Sequence, residues 1–180
     1  AGKGLIEHCL LDADDGNPRS RTTPPPAAPA LTDEQQAAVE AIGTTAGFAC
    51  FLLDGVTGSG KTEVYLRLIA RTLAAGRQVL VLVPEIGLTP QLAERVARRI
   101  DAPLVVLHSG LSDREREVGW QQAAIGRAPI LLGTRSAVFT PLPALGLVIV
   151  DEEHDLSLKQ QDGFRYSARD LAIRRAQLAD

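Results

Sequence analysis

The chain has no methionine, only 4% aromatic residues and only two cysteines among its 180 residues. Cys9 and Cys50 lie far apart, which excludes a disulfide framework and a four-cysteine zinc site built by this chain alone. The apolar runs, such as residues 48–53, are too short to span a bilayer, and the first residues do not have the pattern of a secretory signal. We therefore expect no membrane partner, and the absence of methionine indicates a piece of a longer protein.

Charge of one sign is not in excess either. The chain carries 19 basic and 22 acidic side chains, and the resulting net charge of -3 does not by itself indicate a nucleic-acid-binding protein. We expect three regions along the chain. Residues 1–11 are interpreted as the tail of a preceding domain, for which a winged helix is one candidate. Residues 12–30 form a proline-rich linker, and residues 31–180 form one globular domain.

Short apolar segments alternate with helical patterns throughout residues 31–180. Strands are predicted at residues 48–54, 78–83, 104–107, 130–133 and 147–151. Helices are predicted between them, with Thr32 and Ser112 as capping residues for two of the helices. Strands that are apolar on both faces are typical of a parallel sheet covered on both sides by helices. The expected fold class is therefore α/β with a mostly parallel sheet.

The strongest motif is GVTGSGKT at residues 55–62, which matches the phosphate-binding loop G-x-x-x-x-G-K-[ST] in full. It follows a predicted strand and opens a predicted helix, so backbone N–H groups and the helix N-terminus can surround a phosphate. The predicted nucleotide-binding residues are Gly58, Ser59, Gly60, Lys61 and Thr62. Lys61 would reach the outer phosphates and the Thr62 hydroxyl would ligate Mg²⁺. The alternative is an ordinary glycine-rich turn.

A second motif, Asp151-Glu152-Glu153-His154, follows the predicted strand at residues 147–150. Asp151 can hold Mg²⁺, and Glu152 can orient or deprotonate an attacking water. The alternative is a solvated acidic loop. This run resembles the D-E-x-H box of superfamily 2 helicases and translocases, and the resemblance implies that His154 connects the γ-phosphate site to nucleic-acid contacts.

Three further segments suit a nucleotide-driven motor. Residues 31–35 are similar to the short glutamine motif that reads adenine, with Gln35 on the base, although Gln35 could equally face solvent. The segments at residues 84–91 and 133–137 each follow a strand and offer hydroxyl, amide and guanidinium groups to phosphate oxygens. The candidate DNA contacts there are Thr89, Gln91, Thr134, Arg135 and Ser136. Turn chemistry alone would also explain these residue types.

Five strings together resemble primosomal protein N′, the PriA-type family of bacterial replication-restart helicases. They are DGVTGSGKTEVYL, VPEIGLTPQ, HSGLSDRE, GTRSAVFTP and the stretch of residues 151–170. The resemblance covers residues 31–180. It implies a RecA-like P-loop NTPase lobe that stops before the second motor lobe. It also implies a cytoplasmic ATP- and Mg²⁺-dependent 3′→5′ DNA helicase that acts at forked DNA and at single-strand/double-strand junctions. Primosome proteins, helicase-loading proteins and single-strand-binding protein are the implied partners. The zinc module of that family has no counterpart here, so no zinc ligands are expected.

The segment after the acidic motif, residues 159–166, carries two cations and two aromatic residues in a chain poor in aromatics. It resembles the aromatic-rich loop of the same family, which senses DNA and couples it to hydrolysis. Rings and guanidinium groups stack on unpaired bases, and cations contact phosphates. The candidate DNA contacts are Lys159, Phe164, Arg165 and Tyr166. The alternative is that both rings anchor the segment to the core.

Other functions remain open at the level of sequence. The parent protein could be another superfamily 2 translocase of branched DNA, or an RNA helicase. A non-motor P-loop enzyme such as a small-molecule kinase would need a lid and an acceptor pocket, which the sequence does not indicate. A DNA-binding module without catalysis would not need Lys61 or Glu152. As a single lobe, this chain is expected to bind Mg-nucleotide and to hydrolyse it poorly.

Overall fold

The computed structural model describes residues 29–56, 58–85, 87–88 and 90–180. The expected domain tail at residues 1–11 and nearly all of the expected linker at residues 12–30 lie outside the described residues. We label the main elements, in chain order, α1 (Asp33–Gly43), α2 (Lys61–Ala74), β1 (Gln78–Leu82), α3 (Pro90–Arg99), β2 (Leu104–Leu107), α4 (Asp113–Ala124), β3 (Ile130–Gly133), β4 (Leu145–Val150), β5 (Lys159–Gln160), β6 (Tyr166–Ser167) and α5 (Ala168–Leu178). Short 3₁₀ helices span Arg135–Phe139 and Leu156–Leu158. None of the helices in the described part has the length and apolarity needed to cross a membrane.

A parallel four-stranded sheet organises the chain. The strand order is β2-β3-β1-β4, and every neighbouring pair runs parallel. β1 is central and pairs with β3 on one side and with β4 on the other. The segments that follow the strands therefore meet along one edge of the sheet, where open α/β folds bind their ligands. β5 and β6 form a separate antiparallel ladder that pairs Lys159 with Ser167 and Gln160 with Tyr166.

Alternate residues of β1 enter two apolar clusters, one on each face of the sheet. Val79 and Val81 pack with side chains of α2 and α3, whereas Leu80 and Leu82 pack with side chains of α4 and α5. All of β1 and β3 is buried. This arrangement confirms the expected α/β class, because strands that are apolar on both faces are stable only between two helical layers.

The helix start signals in the sequence are confirmed. Thr32 caps α1 and Ser112 caps α4. Each forms a capping box, in which its hydroxyl accepts a hydrogen bond from the third helical residue while that residue's side chain accepts one from the cap backbone. Gly76 follows α2 with a φ of 70°, a conformation that glycine adopts without steric cost. Local capping chemistry therefore fixes these boundaries.

The strand predicted at residues 48–54 is wrong. The structure places this segment in irregular backbone, where Phe51 is 47% exposed and Leu52 is 80% exposed. A strand requires a hydrogen-bonded neighbour, and within the described residues the sheet ends at β4 without pairing to this segment. The apolar composition of this segment therefore predicted neither its burial nor its pairing, because composition does not show whether a neighbouring strand is present.

Gln78 is a buried polar residue at the first position of β1. Its side chain forms hydrogen bonds with the backbone of α4 and of the loop before β4. Its side-chain amide donates to the Ala123 carbonyl over 2.9 Å, and its Oε1 accepts from the Ala144 N–H over 3.0 Å. Gln78 is 3% exposed. Water therefore cannot replace these bonds. The side chain gives the Ala144 N–H its acceptor and adds a donor to the Ala123 carbonyl, which also accepts from the Gly126 N–H over 3.1 Å.

We predict that Gln78→Leu lowers the free energy of unfolding by about 1–3 kcal/mol, because it removes the acceptor that Gln78 provides to the Ala144 N–H. Urea denaturation followed by far-UV circular dichroism measures the change. Gln121→Leu, on the exposed face of α4, is the matched control and should shift the midpoint little. Equal effects of the two substitutions would contradict the role assigned to Gln78.

Candidate active site

The phosphate-binding loop lies directly before α2 and depends on two glycines in left-handed backbone. Gly58 has a φ of 85°, and Gly60, at the N-cap of α2, has a φ of 84°. Gly60 provides no side-chain acceptor to the first turn of the helix. A Cβ at Gly60 would also collide with the side-chain amide of Gln35. The N-terminus of α2 thus presents N–H groups and positive potential to an anion.

Lys61 and Gln35 both contact the loop itself. The Lys61 ammonium donates to the Gly55 carbonyl over 2.6 Å. The Gln35 amide donates to the Ser59 carbonyl over 3.0 Å, while its Oε1 accepts from the Thr32 N–H over 3.0 Å. Gln35 therefore braces the phosphate-binding loop from the start of α1. Its expected contact with adenine stays a prediction.

The acidic motif lies at the carboxyl end of β4, and β1 fixes its position. The Asp151 N–H donates to the Leu82 carbonyl over 2.9 Å. Among the described residues, Glu152 is the one non-glycine with positive φ, at 46°. Its carboxylate lies 3.5 Å from Nε2 of His154. Strained backbone of this kind is characteristic of functional sites, and here it turns Glu152 out of the direction of the strand.

Tyr65 makes a contact to this motif that the sequence analysis missed. Its phenol donates a hydrogen bond to Oδ1 of Asp151 over 3.1 Å. Burial, the negative charge and hydrogen bond of Asp151, and the charge of Glu152 all raise the pKa of the Tyr65 phenol above its ordinary value. The signals available in the sequence were the rarity of aromatic residues and the position of Tyr65 one helical turn after Thr62.

A cavity of about 730 Å³ lies where these elements meet. Its walls come from the phosphate-binding loop, the first turn of α2, the end of β4 and one side of α3. The lining residues that come from the phosphate-binding loop and the acidic motif are Gly58, Ser59, Gly60, Lys61, Thr62, Asp151 and Glu152. Gln91 lines the same cavity, whereas Thr89 lies outside the described residues. The volume lies in the range of small-molecule sites.

The donor chemistry of this cavity fits Mg²⁺. A threonine hydroxyl and an aspartate carboxylate are hard oxygen ligands, and Mg²⁺ commonly uses one or two carboxylates together with substrate phosphates. Thr62 and Asp151 are the residues that would hold it. Within the described residues, no group of three or more His, Cys, Asp or Glu side chains is arranged as a metal cage. A site completed by phosphate oxygens needs no such cage.

An ion pair connects the first turn of α2 to the last residue of α3. The Arg99 guanidinium donates to both oxygens of Glu63, over 2.7 and 3.1 Å. The side chains are 16% and 14% exposed, respectively. Glu63 directly follows Thr62, so this bidentate pair holds the phosphate-binding turn against the neighbouring helix.

Some candidate DNA contacts are exposed, whereas others are buried or already hydrogen-bonded within the protein. Ser136, Lys159 and Arg165 are exposed. Thr134 is 5% exposed and belongs to the buried interior. The Arg135 guanidinium donates to the carbonyls of Ser157 and Lys159, over 3.2 and 2.9 Å. Arg135 thus supports the segment at residues 157–159 through backbone bonds. The roles of all these residues toward DNA stay predictions.

Three aromatic rings form a surface cluster beside that segment, which we call the aromatic cluster: Phe139, Phe164 and Tyr166. The Phe139 and Tyr166 rings meet edge to face with centroids 4.8 Å apart, and the Phe164 and Tyr166 centroids are 6.0 Å apart. Phe164 is 77% exposed and Phe139 is 50% exposed. Tyr166 is therefore anchored while Phe164 stays open to solvent. The sequence analysis missed Phe139, whose place in the cluster follows from the 3₁₀ helix after β3.

Comparison with known proteins decides the family. A sequence profile described as DEAD/DEAH box helicase matches residues 32–179, which includes every element of the sheet and both motifs of the cavity. The chain belongs to the DEAD/DEAH box helicase family. The expected RecA-like α/β lobe is thereby confirmed.

Several curated proteins are similar to the chain over most of its length. It is 54% identical over 147 residues to replication restart protein PriA of Haemophilus influenzae, a match that covers 82% of this chain and 20% of that protein. It is 53% identical over 152 residues to replication restart protein PriA of Synechocystis, covering 84% and 18%. The Bacillus subtilis protein of the same name is 47% identical over 150 residues, covering 82% and 19%. The chain therefore spans about a fifth of the length of these relatives.

We predict that Arg99→Gln lowers the free energy of unfolding by about 1–2 kcal/mol, because it breaks both charged hydrogen bonds to Glu63. Arg98→Gln is the control in the same helix, since its pair with Glu94 is exposed and lies within α3. That substitution should cost less than about 0.5 kcal/mol. Thermal or urea unfolding of both variants gives the comparison, and a larger loss for Arg98→Gln would refute the assignment.

Proposed function

We propose that the protein is the ATP-binding first motor lobe of an ATP-dependent 3′→5′ DNA helicase that acts in replication restart. One observation carries the proposal: the phosphate-binding loop and the acidic end of β4 line the same cavity. The family and the similar PriA proteins add support. We further propose forked DNA as the partner, in a bacterial cytoplasm, with primosome and helicase-loading proteins acting on the complete protein.

The residues of the cavity have different roles in hydrolysis. The N-terminus of α2 and Lys61 bind the β- and γ-phosphates and neutralise the charge that develops on them. Thr62 and Asp151 hold the metal, which when bound supplies positive charge to the phosphate oxygens. Glu152, which lines the same cavity, orients the attacking water and accepts its proton. A single lobe supplies half of such a site, so slow turnover is the expected behaviour of this chain.

The surface formed by residues 159–166 suits single-stranded DNA. Exposed Phe164 offers a ring for base stacking, and exposed Lys159 and Arg165 offer charge to phosphates. His154 precedes this segment in the chain and lies 3.5 Å from the Glu152 carboxylate. We assign His154 the role of connecting DNA contact to the γ-phosphate site. Gln91 and Ser136 extend the proposed DNA surface along the same edge of the sheet.

Two substitutions in the cavity should separate binding from hydrolysis. Lys61→Ala should weaken Mg-nucleotide binding by this chain at least about tenfold, because it removes the cation that faces the phosphates. Glu152→Gln should preserve binding within a few-fold. In a longer protein that includes the second lobe, Glu152→Gln should lower DNA-stimulated hydrolysis by about 100-fold or more. Fluorescent ADP titration and a phosphate-release assay measure the two effects.

The same hydrolysis assay tests the choice of nucleic acid. Stimulation should be largest with forked DNA, smaller with plain duplex and smallest with RNA. Stimulation by branched duplex without unwinding would favour a translocase, and preference for RNA would favour an RNA helicase. Hydrolysis that ignores every nucleic acid would overturn the motor assignment and leave only a nucleotide site.

Substitutions in the aromatic cluster should lower the stimulation of hydrolysis by DNA more than they lower the affinity for nucleotide. In the longer protein, Phe164→Ala should lower DNA stimulation several-fold, because base stacking contributes about 1–3 kcal/mol per base. Phe139→Ala should produce a smaller loss, since Phe139 anchors Tyr166. Leu156→Ala is a matched control, because Leu156 is a nearby exposed apolar residue outside the cluster. A loss of equal size in the control would argue against stacking.

A further inference from the structure

We propose that Tyr65 is a positioning residue that assembles the divalent-cation site by holding Asp151 beside Thr62. This inference rests on the proposed function, since it concerns the metal of the same nucleotide site. It adds a residue that lies in neither of the two sequence motifs of the cavity. The supporting contact joins α2 to the end of β4, two segments that are far apart in the sequence.

The geometry begins with the spacing of two residues on one helix. Thr62 and Tyr65 are three positions apart in α2, so they lie on the same side of the helix one turn apart. The Tyr65 hydroxyl reaches across to Oδ1 of Asp151 over 3.1 Å. Tyr65 therefore fixes the carboxylate relative to the helix that carries Thr62. The second carboxylate oxygen, Oδ2, is not used by this hydrogen bond and can serve as a ligand.

The hydrogen bond has a fixed direction. An ionised carboxylate has no proton to donate, so the Tyr65 hydroxyl donates and Asp151 accepts. A donor to one oxygen limits rotation of the carboxylate and orients its other oxygen. Groups that orient a metal ligand in this way commonly change metal affinity by about 10–100-fold when they are removed.

The hydroxyl can be removed without removing the ring. Tyr65 is partly buried and packs against the apolar cluster that joins α2 and α3 to the sheet. Tyr65→Phe keeps this packing and deletes only the donor. Its effect on metal affinity therefore reports the hydrogen bond, whereas a larger truncation would also report lost packing.

The test measures Mn²⁺ binding to the chain in the presence of saturating ADP, by electron paramagnetic resonance of free Mn²⁺. Tyr65→Phe should weaken Mn²⁺ binding by about tenfold or more. Its affinity for ADP without metal should change less than about twofold. Thr72→Val is the matched control, because it deletes a different hydroxyl of α2 that donates to the Leu68 carbonyl. Thr72→Val should leave Mn²⁺ affinity unchanged.

A second experiment, in a chain that also carries a substitution at Asp151, distinguishes a loss of positioning from a general loss of structure. In an Asp151→Ala chain, which lacks the acceptor, Tyr65→Phe should cause little further loss of Mn²⁺ affinity, because the two residues act through one contact. An unchanged Mn²⁺ affinity in Tyr65→Phe would overturn the inference. So would a full additional loss in the Asp151→Ala background, or an equal loss of metal-free ADP binding. Failure of the unsubstituted chain to bind ADP at all would overturn the proposed function itself, and the inference with it.

Discussion

Burial of β1 and β3 on both faces is the constraint on which the rest of the structure depends. Each apolar face needs a helical layer, and a parallel strand needs a crossover through that layer before the chain can pair again. Every strand therefore ends at the same edge of the sheet. Asp151 and the segment after β3 follow strands of this sheet and lie at that edge, and the phosphate-binding loop lines the same cavity as Asp151 although the two are distant in sequence.

The site contains local features that folding alone would not favour. Glu152 has a positive φ, adjacent carboxylates repel one another at the end of a strand, and the first turn of α2 has no side-chain cap. Each feature costs stability, and each is supported by contacts from a neighbouring element. The Leu82 carbonyl fixes Asp151, and the Gln35 amide fixes the Ser59 carbonyl. The stability of the buried sheet thus offsets the cost of the strained, charged segments at its edge.

Sequence reasoning predicted the features that depend on local chemistry. Capping at Thr32 and Ser112, the apolar strands and the phosphate-binding loop each carry a signal within a few residues. It failed at residues 48–54, because apolar composition does not show whether a neighbouring strand is present. It missed the bond from Tyr65 to Asp151, because that contact depends on which strand lies beside which. It did not foresee that the Arg135 guanidinium donates to two backbone carbonyls, and the expected contact of Arg135 with phosphate stays a prediction.

The acidic motif and two members of the aromatic cluster, Phe164 and Tyr166, belong to one hydrogen-bonded segment. The Asp155 N–H donates to the Glu152 carbonyl over 2.8 Å, and the Ser157 N–H donates to the Asp155 carboxylate over 2.8 Å. Arg135 then joins the carbonyls of Ser157 and Lys159 to the end of β3. The hairpin of β5 and β6, with Phe164 at its exposed turn, begins at Lys159. The carboxylate proposed to activate water and the ring proposed to contact DNA are therefore the two ends of a short, braced stretch of backbone.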